Sequence, residues 1–159
     1  LSIVSSEIPG ELPLLLLTGF RALIDALHER LAEQGHPGVR PVHGFALQAV
    51  GRDGCTAVEL GRRLGITKQA AAKHVVALEE LGYLRREDDP ADARRRTLRL
   101  TDRGVDCLAR SAAVLAELRE GWAGEIGADR VTALEDDLRR VTRGAGLRVD
   151  TPGWLAGGG

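Results

Sequence analysis

Two short stretches hold the side chains best suited to chemistry in this 159-residue chain: Thr67-Lys68-Gln69-Ala70, with Lys73 a turn further on, and Arg94-Arg95-Arg96. The chemistry they suit is recognition of a polyanion rather than bond making. A glutamine amide can meet an adenine edge with donor and acceptor together, and a lysine reaches a guanine edge or a phosphate. The Thr67 hydroxyl can meet a phosphate, and the positive end of a helix dipole starting there points the same way. Arginine near the tip of a β-ribbon can enter a narrow minor groove, where negative potential concentrates. Each pattern has a plain alternative: a solvated helix face for the first, a charge-protected edge strand for the second. The elements that present these residues decide between the alternatives.

Those elements are legible in spacing and punctuation. Residues 11–34 read as a helix with Leu16, Phe20, Leu23, Leu27 and Leu31 in a stripe, widened by Leu17 and Ile24. A short helix follows over 41–50. Thr56-Ala57-Val58-Glu59 has the form of a capping box for a helix to Leu64, and Gly65 stands where a left-handed residue belongs. Two residues on, Thr67 caps a second helix that ends by Gly82, with Ala71, Val75, Leu78 and Leu81 facing inward. Two short helices joined by so tight a turn form a helix-turn-helix. Residues 83–86 and 94–100 read as two strands about a polar turn at 87–93, which makes a wing. Asp92 stands ready to grip one arginine of the triplet in bidentate fashion, leaving Arg94 at the tip and Arg95 and Arg96 for the nucleic-acid backbone. A long helix over 101–121 carries Val105, Leu108, Ala112, Leu115 and then Trp122, and a last one over 128–143 carries Val131, Leu134, Leu138 and Val141. The expected organisation is mainly α with a small β wing. It comprises a flexible N-terminus (1–10), a single domain (11–143) and a flexible tail (144–159). Within the domain, 41–100 is the winged helix-turn-helix lobe, and 11–34 and 101–143 are long dimerisation helices, because their stripes exceed what the small lobe needs.

The stretch from Glu59 to Gly104 resembles the DNA-binding core of the MarR family of transcriptional regulators. Its most specific piece is Asp92-Ala93-Arg94 followed by Leu100-Thr101-Asp102-Arg103-Gly104; "GITKQA" and "LEELGYL" about the second helix are also similar. The resemblance implies a homodimer that binds a double-stranded DNA operator. It further implies a repressor, less often an activator, released by a small-molecule effector or by oxidation. Two-fold symmetry would set the recognition helices about 34 Å apart on a pseudo-palindromic site. On this reading the DNA-binding residues are Thr67, Lys68, Gln69, Lys73, Asp92, Arg94, Arg95 and Arg96. His74 stands where the family usually has an aliphatic residue and is read as packed and hydrogen-bonded. No cysteine lies near the start of the first helix, which argues against peroxide sensing. The family's effector cleft lies between lobe and dimerisation helices; His43 and Trp122 are candidates for its lining, with ordinary packing the stronger reading for both.

Composition agrees without announcing a partner. Net charge is −1, yet residues 61–103 carry eleven Lys and Arg against seven Asp and Glu. Aromatics are only 3%, so aliphatic side chains must fill the core. Cys55 and Cys107 are far apart and read as two buried thiols of a reducing, cytoplasmic compartment. The run Leu12–Leu17 is too short to span a bilayer, and no membrane partner is expected. Met is absent, so Leu1 is read as other than the translated start. There is no HExxH, no GxSxG and no Gly-rich phosphate loop after a strand, so no enzyme, metal or cofactor is expected. A winged-helix module that docks a protein instead of DNA is the competing class, and salt dependence separates the two.

Overall fold

Thr56, Thr67 and Thr101 punctuate the chain, and each turns its hydroxyl onto the helix that follows. In the computed structural model, which describes residues 10–146, Thr56 accepts from the Glu59 N–H at 3.2 Å. Thr67 accepts from Ala70 N–H and Thr101 from Gly104 N–H, both at 3.1 Å. These bonds satisfy donors that every helix start leaves unpaired. The chain order is α1 (Glu11–Glu33), α2 (Pro41–Val50), α3 (Ala57–Leu64), α4 (Lys68–Glu80), β1 (Leu84–Asp89), β2 (Asp92–Leu100), α5 (Asp102–Ile126) and α6 (Ala128–Val141). The fold is mainly helical with one two-stranded antiparallel ribbon. No helix among the described residues is long and apolar enough to cross a membrane.

The lobe core is aliphatic: Leu47, Leu60, Leu64, Val75 and Leu78 meet Tyr83, Leu84 and Leu98 from the base of the ribbon. Leu27 and Leu31 of α1, with Cys107 and Val114 of α5, continue the same cluster. One polar node crosses it. Buried His36 lies with Nε2 2.8 Å from the Asp106 carboxylate and Nδ1 2.8 Å from the Tyr83 hydroxyl. Because a carboxylate only accepts, Nε2 carries the proton and Nδ1 accepts from Tyr83. The node ties the turn before α2, the start of the wing and α5 to one another. Arg110 first, and His36 after it, hold the Asp106 carboxyl below the usual carboxylate range.

Several expectations are corrected by the packing. The ribbon is longer and its turn tighter than a loop at 87–93: β1 continues to Asp89 and only Pro90 and Ala91 separate the strands. Charge pairs across the ribbon, Asp88 with Arg96 and Glu87 with Arg99, support pairing that apolar alternation does not reveal. On α5 the inward face is Gly104, Cys107, Ser111 and Val114, one residue off the expected stripe, while Val105 is exposed. Small residues face inward because backbone approaches backbone: a Cβ on Gly104 would lie 2.4 Å from the Tyr83 carbonyl oxygen. The helix also runs on through Trp122 to Ile126, and α6 stops at Val141 rather than 143. Leu81 caps α4 and is 37% exposed rather than fully inward. Leu16 and Leu17 of α1 and Leu134 and Val141 of α6, expected in stripes, are exposed in the single chain. The expected flexible ends lie outside the described residues apart from 10 and 144–146.

The α3 capping box is reciprocal, since Glu59 also accepts from the Thr56 N–H at 2.9 Å. Thr56→Ala should therefore cost about 1 kcal/mol of folding stability. Urea denaturation measures it, and a loss below a few tenths would mean the hydroxyl is dispensable.

Candidate nucleic-acid interface

Gly65 is what turns α4 outward. It adopts φ 66° and ψ 33° at the end of α3, a left-handed conformation that side-chain-bearing residues avoid, and the chain re-enters a helix two residues later. α4 then buries Ala71, Val75 and Leu78 and leaves Thr67, Lys68, Gln69 and Lys73 exposed. The four predicted residues thus share the free end and face of one helix. Thr67 Oγ1 is engaged as the cap, which leaves its own O–H free to donate. His74 is half-buried on the flank, its ring edge-on to buried His43 at 6.3 Å, and among the described residues no side-chain hydrogen bond of its ring is found. Burial first, then the charges of Lys73 and Arg40, lower its pKa.

The wing brings the arginines to the neighbouring edge. Asp88 pairs with Arg96 and Asp89 with Asp92, so Ala93, Arg94 and Arg95 bulge from the ladder just past the turn. Asp92 does not grip a guanidinium as expected. Its Oδ1 accepts from the Arg94 main-chain N–H at 3.0 Å, because a residue that opens a bulge finds a backbone donor two residues on. Arg95 reaches Glu59 of α3 at 3.4 Å and Arg96 reaches Asp88 at 3.3 Å. Arg94 is exposed, and among the described residues its guanidinium has no acidic partner.

Between the start of α3 and the wing lies an open cleft of ≈ 630 Å³ lined by Arg62, Arg86, Arg94, Arg95 and Arg96, with Glu59 and Asp92 as its acids. Arg62 and Arg86 are absent from the sequence-based site. Their signals were weak ones: Arg62 falls one turn after Glu59 on a capped helix, and Arg86 points outward on β1. Arg86 is anchored by Glu79 of α4 at 2.8 Å, which joins that helix to the wing. The Thr56 N–H chiefly, with Arg95, Arg63 and Arg62 nearby, holds the Glu59 carboxyl below its usual range.

The other candidates fall elsewhere. Cys55 and Cys107 are buried, and burial pushes both thiols up, away from the reactive thiolate. Trp122 rests on Gly19 of α1 and lines an apolar groove with Leu23, Leu134 and Leu138. His43 caps α2, its Nδ1 accepting from the Arg40 N–H at 3.2 Å. Neither lines the cavity between α1, α2 and α5. Among the described residues no group of His, Cys, Asp and Glu is placed to hold a metal ion.

A helix-turn-helix with an arginine-bearing ribbon fixed to it defines a winged-helix protein. The model of the MarR family matches residues 38–95, from the turn before α2 into β2. The chain is 34% identical over 87 residues to the LexA repressor of Deinococcus radiodurans, an alignment taking in 54% of this chain and 40% of that protein. The chain thus spans less than half of that relative's length. Among solved structures it is similar to the PcaV transcriptional regulator of Streptomyces coelicolor in complex with its natural ligand. That match has 26% identity and TM-score 0.63, covering 91% of this chain and 99% of that one. A mutant MarR from E. coli complexed with operator DNA shares the fold at 22% identity and TM-score 0.67, with 83% and 94% covered. The family is one of transcription regulators rather than enzymes.

Proposed function

We propose that this chain is a sequence-specific, double-stranded-DNA-binding transcriptional regulator, a repressor that acts as a cytoplasmic homodimer and is released by a small-molecule effector. One observation carries the reading: α4 leaves its Lys68–Gln69 end exposed, and the wing attached to it holds, in a cleft of five arginines, an Arg94 with no acidic partner among the described residues. α4 would enter a major groove while the wing grips the adjoining backbone and minor groove. The operator-bound MarR and the ligand-bound PcaV support DNA and effector as partner classes. Residues 41–100 form the DNA-binding lobe on this reading, and 11–34 with 101–143 pair two copies. The pairing is supported by Leu12, Leu14 and Leu15 at 66%, 61% and 49% exposure on one helix, an apolar surface that water disfavours. The effector's place is the cavity between α1 and α5 on one side and α2 on the other, where an occupant touches the pairing helices and the lobe at once.

Selection of bound duplexes from a random pool tests the proposal. The expected result is a symmetric motif with half-sites about one helical turn apart. Affinity should fall steeply with salt, with a log–log slope approaching about −0.9 per phosphate contact. No enrichment, with a flat salt response, would make the wing a protein-docking face instead. Within the recovered motif, Gln69→Ala should change base preference at one position per half-site more than overall affinity. Uniform weakening across all operator variants would make Gln69 a backbone contact.

A further inference from the structure

We infer that α4 reads thymine by its methyl group: Ala72 and Val76 meet C5-methyls in the major groove, alongside the base that Gln69 addresses. This deepens the reading above and rests on it for the occupant, a double-stranded DNA operator. At 3.6 residues per turn, Gln69, Ala72, Lys73 and Val76 fall within an arc of about 100°. The arc lies opposite buried Ala71, Val75 and Leu78, and all four of its residues are exposed. Val76, near the centre of the arc, is 47% exposed. The lobe has no use for apolar side chains at 72 and 76, since both point away from its core. Helix propensity does not call for Val76 either, because a β-branched residue is a weaker helix former than the Lys and Gln beside it. Two apolar positions one turn apart, interleaved with a glutamine and a lysine, form a surface matched to a partner that is itself polar and apolar by turns.

The major groove is such a partner. Each thymine sets a C5-methyl beside a hydrogen-bonding edge, and small apolar side chains are the groups that meet it. Along the helix axis Ala72 stands about 4.5 Å beyond Gln69, and Val76 about 6 Å beyond Ala72. Base pairs follow one another at about 3.4 Å, so the two residues address thymines about two steps apart. The nearer thymine lies next to the base under Gln69. Lys68, Lys73 and the wing arginines carry the charge that holds a helix to the backbone of any sequence. A methyl against Ala72 or Val76 adds only buried apolar area, so it brings discrimination without salt dependence. A merely solvated face would carry no such preference.

The test uses the full chain and the duplex recovered by selection, with each thymine in turn replaced by deoxyuridine. That change removes the methyl and leaves every hydrogen-bonding edge intact. Binding, followed by fluorescence anisotropy, should weaken about fourfold at one or two positions in each half-site, the effect of one buried methyl. The salt slope should not change. Val76→Ala and Ala72→Gly, each checked for folding by circular dichroism, should each abolish the penalty at one of those positions. The ratio between the two duplexes is read within each variant, so a general weakening by Ala72→Gly does not mimic the effect.

A parent protein that binds every deoxyuridine duplex as tightly as the thymine duplex overturns the inference and leaves DNA binding standing. A methyl penalty that survives unchanged in both variants overturns it too, by placing the contact on another residue. Failure to bind any duplex, even at low salt, would bring down the functional reading and this inference with it.

Discussion

Replacing Arg94 with alanine should weaken duplex binding about thirtyfold while the urea midpoint and the oligomeric state stay as in the parent. Three arginines stand in a row, but their states differ. Arg95 and Arg96 already neutralise acids, at 3.4 Å and 3.3 Å, and must trade those partners for phosphate. Exposed pairs of this kind are weak, so the exchange is possible, but its net gain is small. Arg94 gives up nothing among the described residues except its hydration. Its backbone is meanwhile held by Asp92, so less conformational freedom is lost when its side chain docks. Arg95→Ala and Arg96→Ala should each cost several times less. Fluorescence anisotropy at fixed salt measures all three. If Arg94 meets a phosphate, the salt slope should fall by about 0.9 as well; if it enters a minor groove, the loss should be greater on A·T-rich sites. An alanine variant with the parent's affinity would remove the wing from the mechanism.

Acid should unfold this protein through His43. Burial, with the nearby charges of His74, Arg40 and His28 in support, lowers its pKa from 6.5 to about 4, against a hydrogen bond to Gly38 that acts to raise it. Its Nδ1 accepts from the Arg40 N–H, so a proton placed there turns an acceptor towards a donor at the start of α2. The sign follows from proton counts. Between pH 6.5 and about 4 the unfolded chain binds this proton and the folded chain does not, so stability falls as pH falls. The contribution is complete above pH 6.5 and lost by about pH 4, a change of about 3 kcal/mol, or a large share of a small domain's stability. His74 is shifted the same way and should steepen the fall. Glu59, Asp106 and Glu135 are shifted down as carboxylates, so their losses belong to lower pH. Urea midpoints at pH 7 and pH 4.5 measure the effect, and His43→Asn, which retains an acceptor near the Nδ1 position, should flatten most of it. An equal pH dependence in that variant would exonerate His43.

Local signals were the readable part of this chain. The caps at Thr56, Thr67 and Thr101 and the left-handed turn at Gly65 act within a few residues of themselves, so their chemistry is written in adjacent letters. From them followed the helix-turn-helix, the attached ribbon and the exposure of Lys68, Gln69 and Lys73 on a single face. Which residues of α5 turn inward was not legible. Val105 and Ala112 are better hydrophobic candidates than Ser111, but the close approach of Tyr83 to Gly104 admits only a small residue and sets the rotation of the whole helix. Likewise Asp92 carries a carboxylate suited to arginine, and only the bulge decides that it takes a backbone N–H instead.

Residue type and near-neighbour spacing thus specified the class of fold and the helix end that faces outward, because capping and turn formation are short-range events. Long-range packing alone decided which arginine of the Arg94–Arg96 triplet lacks an acidic partner among the described residues, how Arg62 and Arg86 join the cleft, and that, among those residues, the buried Nε2 of His28 finds no partner. Each of those depends on atoms from separate elements being brought within a few ångströms, a distance that no spacing along the chain encodes.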